Sequence, residues 1–180
     1  MTTGTGDRRT FRIAARPRFP EEPTNLALMP YTTADARSQL LSSVAEAAEE
    51  LGAALAALSE AYELLDDATA ERMERELFGP VQIAYGRAQR AHSSFAQRHG
   101  LPGRAFASAV AGAPSQGVKG FIDSAVSAIS SADRILATLQ DSMLPVEVGD
   151  PELRAGLEQV RELIGPLSTR ARELLRTLGR

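Results

Sequence analysis

The sequence predicts an all-α fold, a four-helix up-down bundle made of two similar helical hairpins. Three observations carry this: four apolar stripes that alternate spacings of three and four residues, turn signals between the stripes, and one six-residue phrase that occurs twice. The 180 residues are 43% apolar but only 5% aromatic, so Ala, Leu and Val must fill the core, as suits closely packed helices.

Residues 1–32 read as an extended or disordered basic arm. Pro17, Pro20, Pro23 and Pro30 fall in it, and no helical period is sustained. Its first twenty residues hold five arginines against Asp7 alone, whereas the whole chain has a net charge of −3. Arg8, Arg9, Phe11, Arg12, Arg16 and Arg18 form a candidate partner-binding segment, because guanidinium groups interleaved with aromatics suit an acidic protein surface or phosphates. The acidic remainder of the chain disfavours nucleic acid as the main partner.

The first hairpin is expected over residues 33–98. Thr32 or Thr33 caps its first helix, and the stripe runs Leu41, Val44, Ala48, Leu51, Leu55, Leu58, Tyr62, Leu65. The second helix starts near Thr69 and carries Phe78, Val81, Tyr85, Ala88, His92 and Phe95. Gly79-Pro80 interrupts it. An interior proline loses a hydrogen bond and presses on the carbonyl of Glu76, so a kink is expected there.

Residues 99–117 form a connection rich in Gly, Ala, Pro and Ser, long for neighbouring helices and expected to cross one end or carry function. A short helix over Phe106–Val110 is the one element it suggests. The second hairpin follows over residues 118–180, so that 33–180 make one domain. Its third helix shows Ile122, Ala125, Ile129, Ala132, Leu136, Leu139 and Met143, and ends before Pro145. Its fourth opens at Asp150-Pro151, a good cap with proline at the first helical position, and continues Val160, Ile164, Leu167, Ala171, Leu174, Leu178.

The phrase Arg75-Glu76-Leu77-Phe78-Gly79-Pro80 returns as Arg161-Glu162-Leu163-Ile164-Gly165-Pro166. Any helix of a bundle has a stripe, but a shared Arg-Glu-Leu-x-Gly-Pro points to internal duplication, with the second and fourth helices both kinked at Gly-Pro.

Several chemistries are struck off. Cysteine is absent, which removes disulfides and thiolate sites and fits a reducing compartment. His92 and His99 are the only histidines, neither in a Glu-x-x-His pair, so a carboxylate-bridged di-metal site is not expected. His92, on the stripe, reads as a satisfied or end-of-core histidine. No phosphate loop, nucleophile elbow or dinucleotide fingerprint occurs. Arg8-Arg9-Thr10-Phe11 superficially matches a twin-arginine signal, but Ile13-Ala14-Ala15-Arg16-Pro17-Arg18 is not an apolar core segment. A cytoplasmic protein with no membrane span is expected.

The function expected is a non-enzymatic interaction protein, an adaptor or scaffold that self-associates, with no catalytic residue, cofactor or metal. Ala45, Ala47, Ala53, Ala54, Ala56 and Ala57 spread small apolar surface around the first helix, more than one partner helix covers. The alternative is a small-molecule sensor or carrier holding an apolar ligand between the kinked helices, in a pocket of Tyr62, Phe78, Tyr85, His92 and Ile164.

Overall fold

The computed structural model describes Met1, residues 29–112 and residues 114–178. All regular structure among them is helical. The all-α class therefore holds. The arginine-rich segment from Arg8 to Arg18 lies outside the described residues.

Helix α1 (Met29–Tyr62) begins inside the stretch expected to be an arm. Its second residue is Pro30, whose fixed φ and missing donor cost nothing in a first turn, where amides lack helical partners anyway. The following chain returns as α2 (Asp67–Met73), a π turn (Glu74–Phe78) and α3 (Gly79–His99), without a gap. Asp66 caps this rod, accepting the Thr69 N–H at 3.1 Å and the Thr69 hydroxyl at 2.8 Å.

The π turn answers the proline. The Gly79 N–H donates to Glu74 O, five residues back, so the backbone takes in one extra residue just before Pro80. That residue shifts the buried face. Met73, Leu77, Val81, Ala84 and Ala88 are buried, whereas Phe78 and Tyr85, expected in the core, are half-buried. At the far end Gly100, with φ 63°, ends α3, and the Leu101 N–H donates to Ala96 O at 2.8 Å.

Residues 101–112 contain neither the short helix expected near Phe106 nor any other regular element, and a 3-10 turn follows at Pro114–Gln116. They climb back along α1. Arg104 pairs with Glu49, while Ser108, Ala109 and Ala111 lie beside α1 between Gly52 and Glu60. Helix α4 (Gly117–Asp141) therefore starts near the end of α1 and runs antiparallel to it, with Gln39 and Ser43 sharing a wall with Leu139 and Ser142. This makes α3 and α4 run the same way. The chain order is not the plain up-down alternation expected, because the connection spans the length of the rods instead of turning at their end.

Helix α5 (Leu144–Val148) is a single turn with Pro145 in its first positions; read from sequence, Pro145 is only a stop. Helices α6 (Pro151–Ile164) and α7 (Leu167–Leu178) replace the one long helix expected. The break falls at Gly165-Pro166, where no π turn relieves the proline. The N–H groups of Thr169 and Arg170 both return to Pro166 O at 3.2 Å to start α7. The α6–α7 rod lies antiparallel to α2–α3: Arg98 meets Asp150 at one end, Gly156 faces Ala91, and Arg72 donates to the Thr177 hydroxyl at the other. In that register the two Gly-Pro steps stand within about one helical turn of each other.

The core centres on α1, which packs against both α3 and α4. Leu40, Ala47, Ala54 and Ala61 recur every seventh residue and are fully buried, and Val44, Leu51 and Leu58 form a second row. Helix α4 alternates large and small, with Ile122, Ala125, Ile129, Ala132 and Leu136 all buried. Alanines on one rod thus leave room for branched side chains on the next. Ala45, Ala47, Ala54 and Ala57 are covered within the chain, and Ala53 and Ala56 are half-buried. The small apolar surface, read from sequence as needing a second helix or a second subunit, is mostly covered by the chain's own helices.

Enlarging this seam should therefore be costly. Ala54→Leu is expected to lower stability by about 1–3 kcal/mol in urea unfolding, whereas Ala53→Leu, one residue round the helix, should cost less.

Candidate functional site

A groove runs along the seam between α1 and the α2–α3 rod. Its upper part is a hollow of about 220 Å³ lined by Ser59, Tyr62, Glu63, Glu74 and Phe78. Its lower part, about 350 Å³, is lined by Gly52, Leu55, Ala56, Ser59, Glu60 and Tyr85 with Ser108, Ala109 and Ala111. Ser59 belongs to both, so the two are neighbours along α1. Local structure sets the floor. The π turn leaves Phe78 half out of the core, and Gly52 lets the Tyr85 ring lie against α1, where a Cβ would stand 3.4 Å from Cε2.

One wall of the lower groove is the connection between α3 and α4. Residues 104–111 lie along it as a strap, held by the Arg104–Glu49 ion pair and by Phe106. The Phe106 ring meets His92 edge-on, with centroids 5.2 Å apart and planes at 82°. Val110 on the same strap is 93% exposed. Beneath it His92 is 2% exposed, and its buried Nδ1 has no hydrogen-bond partner. Read from sequence, His92 is a satisfied or end-of-core residue; it is in the core, and among the described residues nothing bonds its Nδ1. Burial first, and the Arg104 charge second, push its pKa below the ordinary value, so the ring is held neutral.

The five residues proposed from sequence to share a pocket are thus divided. Tyr62 and Phe78 line the upper hollow, Tyr85 lines the lower one, and His92 sits under the strap. Ile164 is 1% exposed in the core. Gly79 and Pro80 are half-buried beside the groove's rod, and Gly165 and Pro166 are exposed.

A second polar assembly joins the far ends of α3 and α6. Asp150 caps α6 through the Leu153 N–H at 2.8 Å, and both its oxygens accept from Arg98 at 2.9–3.0 Å. His99 Nε2 stands 3.1 Å from the same carboxylate, and Arg98 also reaches Glu152 at 2.9 Å. Burial by itself raises the Asp150 pKa, but the Leu153 amide, Arg98 and His99 outweigh it and hold the carboxyl below its usual range. The Asp150 cap is legible in the sequence. Arg98 and His99 as its partners are not, since they depend on which helix ends meet. Every strong donor to Asp150 is already engaged, so the assembly works as a clasp rather than as an acid or base.

Among the described residues no group of three metal-ligating side chains converges, and no helix is long and apolar enough to cross a membrane. Comparison with protein-family models, with curated proteins and with solved structures finds no match.

The two buried titratable groups give opposite signatures in pH. His92 is harder to protonate folded than unfolded, so stability should fall as pH drops below about 6.5, and His92→Phe should flatten that fall between pH 7 and 5. Asp150 is easier to ionise folded, so its contribution is complete above about 3.8 and lost as pH falls through the lower folded value. Asp150→Asn should cost about 1–3 kcal/mol at pH 7, with the deficit closing at acid pH, measured by urea unfolding across pH.

Proposed function

We propose that this chain is a non-enzymatic helical-bundle interaction protein, an adaptor or scaffold. Its docking surface is the α1–α3 groove. The observation that carries this is how the groove is walled: a stretch of the chain's own polypeptide lines its lower half, and among the described residues none of that stretch lines its upper half. Tyr62 and Phe78 supply apolar area there, Glu63 and Glu74 edge it with negative charge, and Glu60 adds a further carboxylate in the lower half. An extended segment bearing an aromatic and several arginines is complementary to both features.

The chain carries one such segment in Arg8–Arg18. Bound by a second copy, it gives self-association in a cytoplasmic assembly without any further interface. The bundle itself is read as a duplicated hairpin kinked at its two Gly-Pro steps. Support comes from the pairing of α1 with α4 and of α3 with α6, both antiparallel, as an approximate twofold axis requires. The π turn accounts for the phase difference between the copies: Leu77 is buried in one phrase, Ile164 in the other.

The alternative, a carrier of a small apolar ligand, rests on Tyr62 and Phe78 facing one hollow. At about 220 Å³ that hollow is below the ~300–1,000 Å³ usual for drug-sized ligands; the adjoining one of about 350 Å³ reaches that range, but Ser59 and Glu60 line it beside Tyr85, and His92 and Ile164 line neither. The peptide reading is therefore preferred.

A fluorescent peptide spanning residues 6–21 tests it by anisotropy against the full chain. Saturable binding with Kd of about 10–100 μM is expected, weakening as salt is raised from about 50 to 300 mM. Phe78→Ala and Glu63→Gln should each weaken it several-fold, and Phe106→Ala, which loosens the strap, should strengthen it. No saturable binding, or binding indifferent to Phe78 and Glu63, would sink the proposal.

A further inference from the structure

On the opposite side of α3 lies a groove of different chemistry, and we propose that it binds a phosphate group carried by a small molecule. The groove measures about 370 Å³ and runs between α3 and α6, with Arg87, Arg90, Ser94 and Arg98 on one wall and Glu152, Gly156 and Gln159 on the other. Four residues of α3 at spacings of three and four place three guanidiniums on one face of one helix.

Arg98 is fully engaged, by Asp150 and Glu152. Arg87 and Arg90 are not: among the described residues no carboxylate stands within ion-pair distance of either. Shortage of acids does not explain this, since the chain has 23 acidic residues against 20 basic ones. On the same rods Arg72 pairs with Glu76 and Arg161 with Asp133, while Arg154, Arg170 and Arg176 also stand without a carboxylate among the described residues; Arg87 and Arg90 differ from these in lining one groove together. Two uncompensated like charges one turn apart repel, and a dianion between them removes the repulsion.

The remaining wall suits such an anion. Ser94 and Gln159 each bring a neutral donor, from α3 and α6 respectively. Gly156 and Ala91 let the two helices close up, and Glu152, the acidic residue of the lining, is engaged by Arg98. Guanidinium groups match the geometry of phosphate oxygens through paired N–H donors. The two free charges favour the doubly ionised phosphate over a monocarboxylate, and the apolar floor leaves room for the organic body that carries it.

The test uses the full chain and inorganic phosphate as probe, followed by amide and side-chain NMR shifts at constant ionic strength set with chloride. Saturable shifts of the Gln159 side-chain amide and of the Ser94 region are expected, with Kd of about 1 mM or below. Arg87→Gln with Arg90→Gln should raise Kd by about tenfold or more. Arg134→Gln, on α4 away from the groove, should leave it unchanged. Gln159→Ala preserves charge and should still weaken binding measurably, which attraction by net charge alone does not produce. Acetate at the same concentration should compete poorly. Shifts that do not saturate below about 20 mM overturn the proposal. So does a double variant that binds as the parent does, provided its spectrum shows it folded.

Discussion

The row Leu40–Ala47–Ala54–Ala61 is the constraint on which the remaining architecture depends. A helix with one seam needs one partner; α1 has two seams and is enclosed by α3 and α4. Alanine at three successive heptad positions lets a neighbouring rod approach closely, which the branched side chains of α4 then exploit. Because α1 is covered from two sides, α3 and α4 need not touch extensively, and each is free to use another face. Both outward-facing grooves follow from that freedom. One forms where α3 meets α1, the other where α3 meets α6.

The π turn couples the backbone to the surface. One added residue before Pro80 avoids the collision expected of an interior proline and rotates everything upstream of it relative to the core. Leu77 moves in and Phe78 moves half out. The second Gly-Pro step meets the same steric problem by breaking the helix, and there Ile164 stays buried. Two near-identical phrases thus reach different local structures. Upstream of the glycine the phrases differ at Phe78 and Ile164, the aromatic ring standing half out of the core in one and the aliphatic side chain buried in the other.

Much of the fold was legible because it rests on period and punctuation. The stripes of α4 and of α6–α7 were readable along their middles, whereas Phe121, Leu153 and Leu157, buried near their starts, were missed and Met143 and Leu178 at their ends fall outside the core. The cap at Asp150 was readable too, since Asp-Pro at a helix start has a local cause. A second neighbour for α1 was legible in its alanines, but whether a helix of this chain or a second subunit covers them was not, because alanine packs equally well in either interface. The π turn escaped as well: a stripe of alternating threes and fours fits Phe78 and Tyr85 as well as Leu77 and Ala84, and only packing decides between them. For the candidate groove, Tyr62, Phe78 and Tyr85 were found from aromatic character beside a proline. The strap, and the pairing of Arg98 and His99 with Asp150, required knowing where the long connection runs and which helix ends meet.

The placement of α1 also bears on how the molecule comes into being. Its near end, at Gln39, packs beside Leu139, about a hundred residues further along the chain. As the polypeptide leaves the ribosome, α1 and the α2–α3 rod can pair early, yet the face of α1 meant for α4 stays bare until most of the chain has emerged. Over that interval the growing chain presents a long, nearly uncharged strip of alanine and leucine to its surroundings. Sequestering that strip, by a chaperone or by the half-formed hairpin itself, is a demand of synthesis that the finished structure no longer shows.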